Sequence, residues 1–258
     1  MTTTAPAPRT AWAPALRAEW LKARTLRSTW LCLAMFVVTV SGIGVGVVAS
    51  IGSLEAAQPG YDPGVLAFYG LNFGHVAVIV LAVLLTAGEY GRQTVHASLV
   101  AVPRRGLFLA SKVAVGTGLV LVASVVTALP TFVVTQSLLG PAGVGLATPG
   151  MAFSLLAAVL YPTLLAVFCM GTAMVLRDQA GALSLLIPFF FLVSPLLELV
   201  PVLQRLAVFL PDRAGAVAVR LHSRPVDVFG PGTGLAVLAL EAAAALLGGW
   251  WVLRRRDA

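Results

Sequence analysis

Six long apolar segments divide the chain, and short polar stretches separate them. Each segment is close to the roughly 20 residues that a helix needs to cross about 30 Å of hydrocarbon. Backbone groups in lipid must satisfy their own hydrogen bonds, so runs of this length predict transmembrane helices. The sequence therefore predicts an all-α integral membrane protein that forms one transmembrane domain over residues 1–258. The predicted spans cover residues 30–51, 65–87, 107–131, 151–176, 182–200 and 233–253.

The segment before the first span has a different pattern. Residues 1–14 are rich in Thr, Ala and Pro, a composition typical of disorder. Residues 15–28 predict an amphipathic helix lying in the membrane interface, with a frayed basic leader as the alternative. The residues of its expected apolar face are Trp12, Leu16, Trp20 and Ala23.

A second polar stretch, Gly88 to Lys112, separates the second and third spans. Val95, Leu99 and Val102 recur within it at helical spacing, and Pro103 ends the pattern. This spacing predicts a short helix on the cytoplasmic face. Such a helix could dock a partner protein, or it could be an ordinary interfacial connection between two spans.

Composition agrees with a membrane protein. Of the 258 residues, 59% are hydrophobic and only 10% are charged, too few to cover the surface of a soluble domain. The net charge of +7 could suggest nucleic acid. We expect no nucleic-acid partner, however, because the basic residues cluster at the ends of apolar runs, as the positive-inside rule requires.

The basic residues also predict the orientation of the chain. Alternation through six spans places 13 of the 17 Lys and Arg residues on one side, which is therefore the cytoplasm, and both termini lie there. The outer loop 201–232 departs from this rule. Treating the fifth span as re-entrant would move the C-terminal arginines outside instead, so we retain six spans. The exceptional outer residues are Arg205, Arg213, Arg220 and Arg224.

Sites for chemistry are scarce in the sequence. No phosphate-binding GxxxxGK[ST], HExxH or GxSxG pattern is present. We therefore expect no catalytic, metal or cofactor site, and an intramembrane enzyme is disfavoured. Glu241 is the one acid well inside a predicted span, where a charge costs roughly 2.5 to 3.5 kcal/mol. It either faces a polar cavity or substrate path, or is protonated and bonded to a neighbouring helix.

Four segments carry a resemblance to a known family. They are EWLKARTLRSTW at 19–30, the polar stretch at 88–112, FLPDRAG at 209–215 and the basic tail RRRDA at 254–258. Their order around six spans resembles the permease subunits of ABC-2 type transporters, in the short bacterial form.

The resemblance implies how the chain would work. It implies a dimer with a second permease copy or a paralogue, in a bacterial plasma membrane, bound to separate ABC ATPase subunits that carry the ATP and drive export. The loop between spans two and three would be the coupling helix. An ion-coupled secondary transporter or a membrane anchor without an ATPase is the alternative. The residues implied to couple to the ATPase are Glu89, Tyr90, Arg92, Thr94, Arg104 and Arg105.

Overall fold

The computed structural model describes residues 12–91 and 105–255, and it is helical in both ranges, without a strand. Short 3₁₀ and π turns occupy Gly140–Ala142 and Phe189–Val193. The helices are α1 Trp12–Thr25, α2 Arg27–Ala56, α3 Pro63–Ala67, α4 Leu71–Thr86, α5 Gly88–Gly91, α6 Arg105–Leu138, α7 Met151–Leu176, α8 Gln179–Pro188, α9 Ser194–Leu199, α10 Gln204–Ala207, α11 Pro211–Val219 and α12 Pro231–Arg255.

Five helical stretches in the described part of the chain are long and apolar enough to cross a membrane. They overlap five of the predicted spans, and the chain is a multi-pass membrane protein. They are Arg27–Ala56, Arg105–Leu138, Met151–Leu176, Gln179–Leu199 and Pro231–Arg255.

The span predicted at 65–87 is interrupted. It is divided between α3 and the 16-residue helix α4, which is about 24 Å long and shorter than the hydrocarbon core. A Cβ atom on Gly70 would lie 2.1 Å from the carbonyl oxygen of Val40, so the chain passes very close to α2 between the two helices. Hydropathy does not report such an approach.

The N-terminal helix begins at Trp12, inside the stretch predicted to be disordered, and residues 1–11 lie outside the described residues. The side of this helix that packs on the protein was not predicted from the sequence. Ala15, Glu19 and Ala23 are buried, and α1 packs on α6. Trp12 and Trp20 are about half exposed and face away from the bundle, as an interfacial helix requires.

Helix α7 lies at the centre of the bundle and packs against α4, α6, α11 and α12. Leu165, Cys169 and Met170 in α7 are fully buried. Small residues permit its closest contact, because a Cβ on Gly171 would lie 2.4 Å from the backbone of Ala245 in α12. The long outer loop contributes to the same core through α11, most of whose residues are buried.

Polar contacts divide the molecule into two ends. We call "inner end" the end where α1, α5, the start of α6, Arg177 and the end of α12 meet. We call "outer end" the opposite one, where the loop before α3 meets the segment after α11. All the described segments predicted to be cytoplasmic therefore lie at the same end.

Candidate functional site

Four charged side chains from three distant segments meet at the inner end, and we call them the ion cluster: Glu19 and Lys22 of α1, Glu89 of α5 and Lys112 of α6. The Lys112 ammonium lies 2.9 Å from Glu19 Oε2 and 2.7 Å from Glu89 Oε1. The Lys22 ammonium lies 2.9 Å from Glu19 Oε1 and 2.9 Å from Glu89 Oε1. Each lysine therefore bridges both carboxylates.

The members of the ion cluster differ in burial. The Lys112 side chain is 2% exposed, whereas that of Lys22 is 43% exposed. A buried ammonium requires charged partners, because removing an ion from water costs several kcal/mol. Lys112 can therefore lie in the protein only while Glu19 and Glu89 surround it, and this requirement ties α6 to both α1 and α5.

The cluster favours the charged forms of Glu89 and Lys22. Burial alone would raise the pKa of Glu89, but Lys112 and Lys22 outweigh burial and lower it. Burial alone would lower the pKa of Lys22, but hydrogen bonds to Glu89 and Glu19 raise it. Glu89 and Lys22 are therefore both charged near neutral pH.

Two arginines connect the inner end to α12. Arg105 Nη1 donates a 2.8 Å hydrogen bond to the carbonyl of Leu253, and Arg177 Nη2 donates a 2.9 Å bond to that of Val252. These carbonyls belong to the last described turn of α12, so the two bonds tie that turn to α6 and to the end of α7. The arginine charges also favour the negative end of the helix dipole.

The six residues expected to couple to an ATPase have different positions. Glu89 belongs to the ion cluster, and Arg105 holds the end of α12. The Tyr90 ring lies 5.7 Å from the Arg177 guanidinium and packs on a buried apolar group that includes Phe108. The other three residues, Arg92, Thr94 and Arg104, lie outside the described residues.

Sequence reasoning did not connect Glu19, Lys22 and Lys112 with Glu89. A signal was present, because Lys112 lies within an apolar segment and a lysine there needs an acid. The acids stand in two of the segments that carry the family resemblance, beside the ends of other spans. The pairing itself depends on helix packing, which the sequence pattern does not give.

Glu241 lies at the middle of α12 and is partly exposed. Its Oε2 atom has no hydrogen-bond partner among the described residues. Within residues 12–91 and 105–255, no group of three or more His, Cys, Asp or Glu side chains is arranged to hold a metal ion.

The outer end has its own polar network, centred on α11. Ser194 Oγ donates a 2.6 Å hydrogen bond to Asp212 Oδ2, and Tyr161 donates its hydroxyl to the backbone carbonyl of Asp212 at 2.8 Å. Arg213 donates to Ser194 and pairs with Glu198. The network anchors α11 to α7 and α9, and it explains the role of the segment FLPDRAG.

Burial has a stronger effect on the pKa of Asp212 than the charge of Arg213 has. Arg213 Nε lies 3.2 Å from Asp212 Oδ2, but burial still raises the pKa of Asp212 above its usual range. The Arg213 guanidinium is shared with Glu198, so its charge does not serve Asp212 alone.

Acids account for three of the four outer arginines that broke the positive-inside pattern. Arg213 pairs with Glu198, and Arg224 lies 3.7 Å from the same carboxylate. Arg220 is mostly buried and pairs with Asp227. At the same end, Asp62 Oδ2 accepts hydrogen bonds from two backbone N–H groups of the segment that follows α11, and these bonds hold that segment to the loop before α3.

Comparison with known proteins shows the family. The sequence profile of ABC-2 family transporter proteins matches residues 15–195, which is more than half of the chain. The chain belongs to the ABC-2 transporter family. A search of curated proteins found no match. The matched region contains the whole ion cluster, so these four residues belong to the part of this ABC-2 permease that the profile describes.

Proposed function

We propose that the chain is the transmembrane subunit of an ATP-binding cassette exporter powered by a separate ATPase subunit. The proposal places it in a bacterial plasma membrane as a dimer with a second permease copy or a paralogue. ATP is bound by the partner, and this chain binds no cofactor. The observation that carries the proposal is the ion cluster, which joins both flanks of the predicted coupling helix.

Six spans with both termini in the cytoplasm fit the helical arrangement best. Helix α4 alone is short, but α3 and α4 together cover residues 63–86 and run between the two ends. With this segment as the second span, the chain alternates six times. The inner end then collects most of the basic residues, as the positive-inside rule requires.

The position of the ion cluster explains how an ATPase could move the helices. Glu89 lies at the start of the coupling helix predicted over residues 89–102, and Lys112 follows that helix. The two side chains are in contact. A push on residues 92–104 would therefore act on α4, α6 and α1 together. Arg105 and Arg177 connect these helices to α12 as well.

The direct test uses the full chain purified from its own membranes together with any bound ATPase subunit. Hydrogen exchange of the outer helix α11 is followed with and without ATP. We expect ATP to change the exchange of α11 in the natural protein. Glu89→Gln should abolish this change although ATP is still hydrolysed, because the link between the coupling helix and α6 is weakened.

Glu55→Gln is the matched control, since Glu55 is an exposed acid at the far end of α2. It should leave the response to ATP unchanged. The proposal is wrong if no ATPase accompanies the chain, or if α11 responds to a proton gradient and not to ATP. The latter result would favour ion-coupled transport, for which the unpartnered Glu241 oxygen is the supporting observation.

A further inference from the structure

An apolar groove of about 660 Å³ lies on the surface between α6 and α12. Both helices pack on α7, and their contact at the inner end includes the bond from Arg105 to the carbonyl of Leu253. On the α6 side, small residues recur along the groove between larger apolar ones, and the α12 side carries large residues. Its main lining residues are Ala110, Ala114, Gly118, Leu121, Leu247 and Trp250.

The shape of the groove suits a hydrocarbon chain. From Gly106 to Leu121 it follows α6 for about 22 Å, which is longer than the roughly 15 Å of one leaflet's hydrocarbon. The small residues recur every fourth position, so no side chain fills the space beside α6. Leu247 on the opposite wall is 63% exposed, so the groove is open to the surrounding membrane.

The mouth of the groove at the inner end is positively charged. The Arg254 guanidinium lies 4.5 Å above the ring of Trp250, which forms the wall of the groove, and Arg255 lies 4.5 Å above Trp251. Gly106, in the first turn of the long helix α6, also lines the groove. The N–H groups of a helix N-terminus favour an anion at this position.

We infer that this groove binds one anionic phospholipid of the inner leaflet. An acyl chain occupies the groove beside Ala114 and Gly118. The phosphate of the headgroup lies at the mouth, between Arg254 and the first turn of α6. Tryptophan and arginine together at the interface are suited to a headgroup, because each has an apolar body and a polar end.

Charge argues against a second copy of the chain in the groove. A symmetric contact at this face would bring Arg254 and Arg255 of both copies together. Like charges at a shared interface oppose association. An anionic lipid instead neutralises them, and the membrane supplies it at high local concentration.

The test measures lipid bound to the purified chain by native mass spectrometry, with phosphatidylglycerol and phosphatidylcholine as the two probes. We expect phosphatidylglycerol to bind more tightly. Replacing Arg254 and Arg255 by Gln should weaken its binding about fivefold for each arginine and leave phosphatidylcholine unchanged. Arg24→Gln is the control, since Arg24 is an exposed basic residue of α1 at the same end.

The apolar part of the site is tested with Gly118→Leu, which should weaken the binding of both lipids. Gly42→Leu is its matched control, because a Cβ on either glycine meets no atom within 4 Å. Equal binding of the two lipids to the natural chain would overturn the inference. An equal loss from Gly118→Leu and Gly42→Leu would overturn it too, as would a change in oligomeric state without lipid loss. If Gly118→Leu does not fold, the arginine variants still decide the test. The measurement needs no ATPase, so its failure can be told apart from a failure of the proposed function.

Discussion

The two ends of this ABC-2 permease use buried charge in different ways. At the inner end, two lysines outweigh burial and lower the pKa of Glu89. At the outer end, burial outweighs Ser194 and Arg213, and it raises the pKa of Asp212. The surroundings therefore stabilise the charged form of Glu89 at the inner end. At the outer end they disfavour the charged form of Asp212, although Arg213 lies beside it.

This difference fits the proposed division of work. A cluster of full charges tolerates small rearrangements, because Coulomb attraction falls slowly with distance. A packed helix does not, because protein interiors resist changes in volume. We therefore expect the inner end to transmit movement and the outer end to switch as a unit.

Removing Lys112 should have the largest effect. Lys112→Met removes the buried lysine that the Glu19 and Glu89 carboxylates both contact, and breaking such a buried pair costs roughly 3 to 5 kcal/mol. Denaturant titration in detergent measures the loss in free energy of unfolding. If the variant is as stable as the natural chain, the ion cluster does not hold the inner end together.

Packing at the outer end gives the next effect. A Cβ on Gly215 would lie 2.0 Å from the ring of Tyr161, so Gly215→Ala should destabilise the protein by roughly 1 to 3 kcal/mol. Gly46→Ala is the control, because a Cβ there meets nothing within 4 Å. Both variants are compared in the same titration, and equal stability would show that α11 is not tightly packed.

The pH dependence of the two ends should have opposite signs. The pKa of Glu89 is lowered, so its contribution is present above the unfolded value of about 4.3 and is lost as pH falls through the folded value. The pKa of Asp212 is raised, so its contribution is present below about 3.9 and is lost as pH rises through the folded value.

Two variants separate these effects in unfolding curves recorded from pH 7 to pH 3. The stability lost in Glu89→Gln should shrink at the acid end, because the natural glutamate also becomes neutral there. The stability of Asp212→Asn relative to the natural chain should be highest at pH 7, where the natural aspartate is most fully charged. If the stability of the two variants depends on pH in the same way, the two ends do not differ in how burial and charge act on their carboxylates.

The smallest effect is expected at Lys22, which contacts the same two carboxylates as Lys112 but is 43% exposed. Lys22→Gln should cost less than about 1 kcal/mol, because solvent screens an exposed ion pair. The same titration as for Lys112→Met provides the comparison. A loss as large as that of Lys112→Met would show that burial does not decide the strength of these contacts.

Hydropathy was sufficient to predict most of the fold. The predicted span 151–176 has the same bounds as α7, because lipid requires one long apolar run for each crossing. The break at Gly70 was not predicted, since it depends on contact with α2. The burial of α11 was also missed, because a nine-residue helix is too short for a hydropathy signal.

The candidate site was only partly predictable. Glu89 and Arg105 were selected through the family resemblance, and both have specific partners at the inner end. Lys112 was visible as a lysine in an apolar segment, but its partners lie 23 and 93 residues away in sequence. Only packing of α1 on α6 brings Glu19 to it, and packing is set by shape rather than by pattern.

The central claim is that the inner end receives the ATPase, and site-directed cross-linking tests it most directly. A cysteine is introduced at Ser98, within the predicted coupling helix, or at Ser223, exposed at the outer end. Each variant is cross-linked in the purified complex with the ATPase subunit. If the inner end receives the ATPase, Ser98→Cys forms a cross-link to the ATPase and Ser223→Cys forms none. A cross-link from Ser223→Cys alone would contradict it.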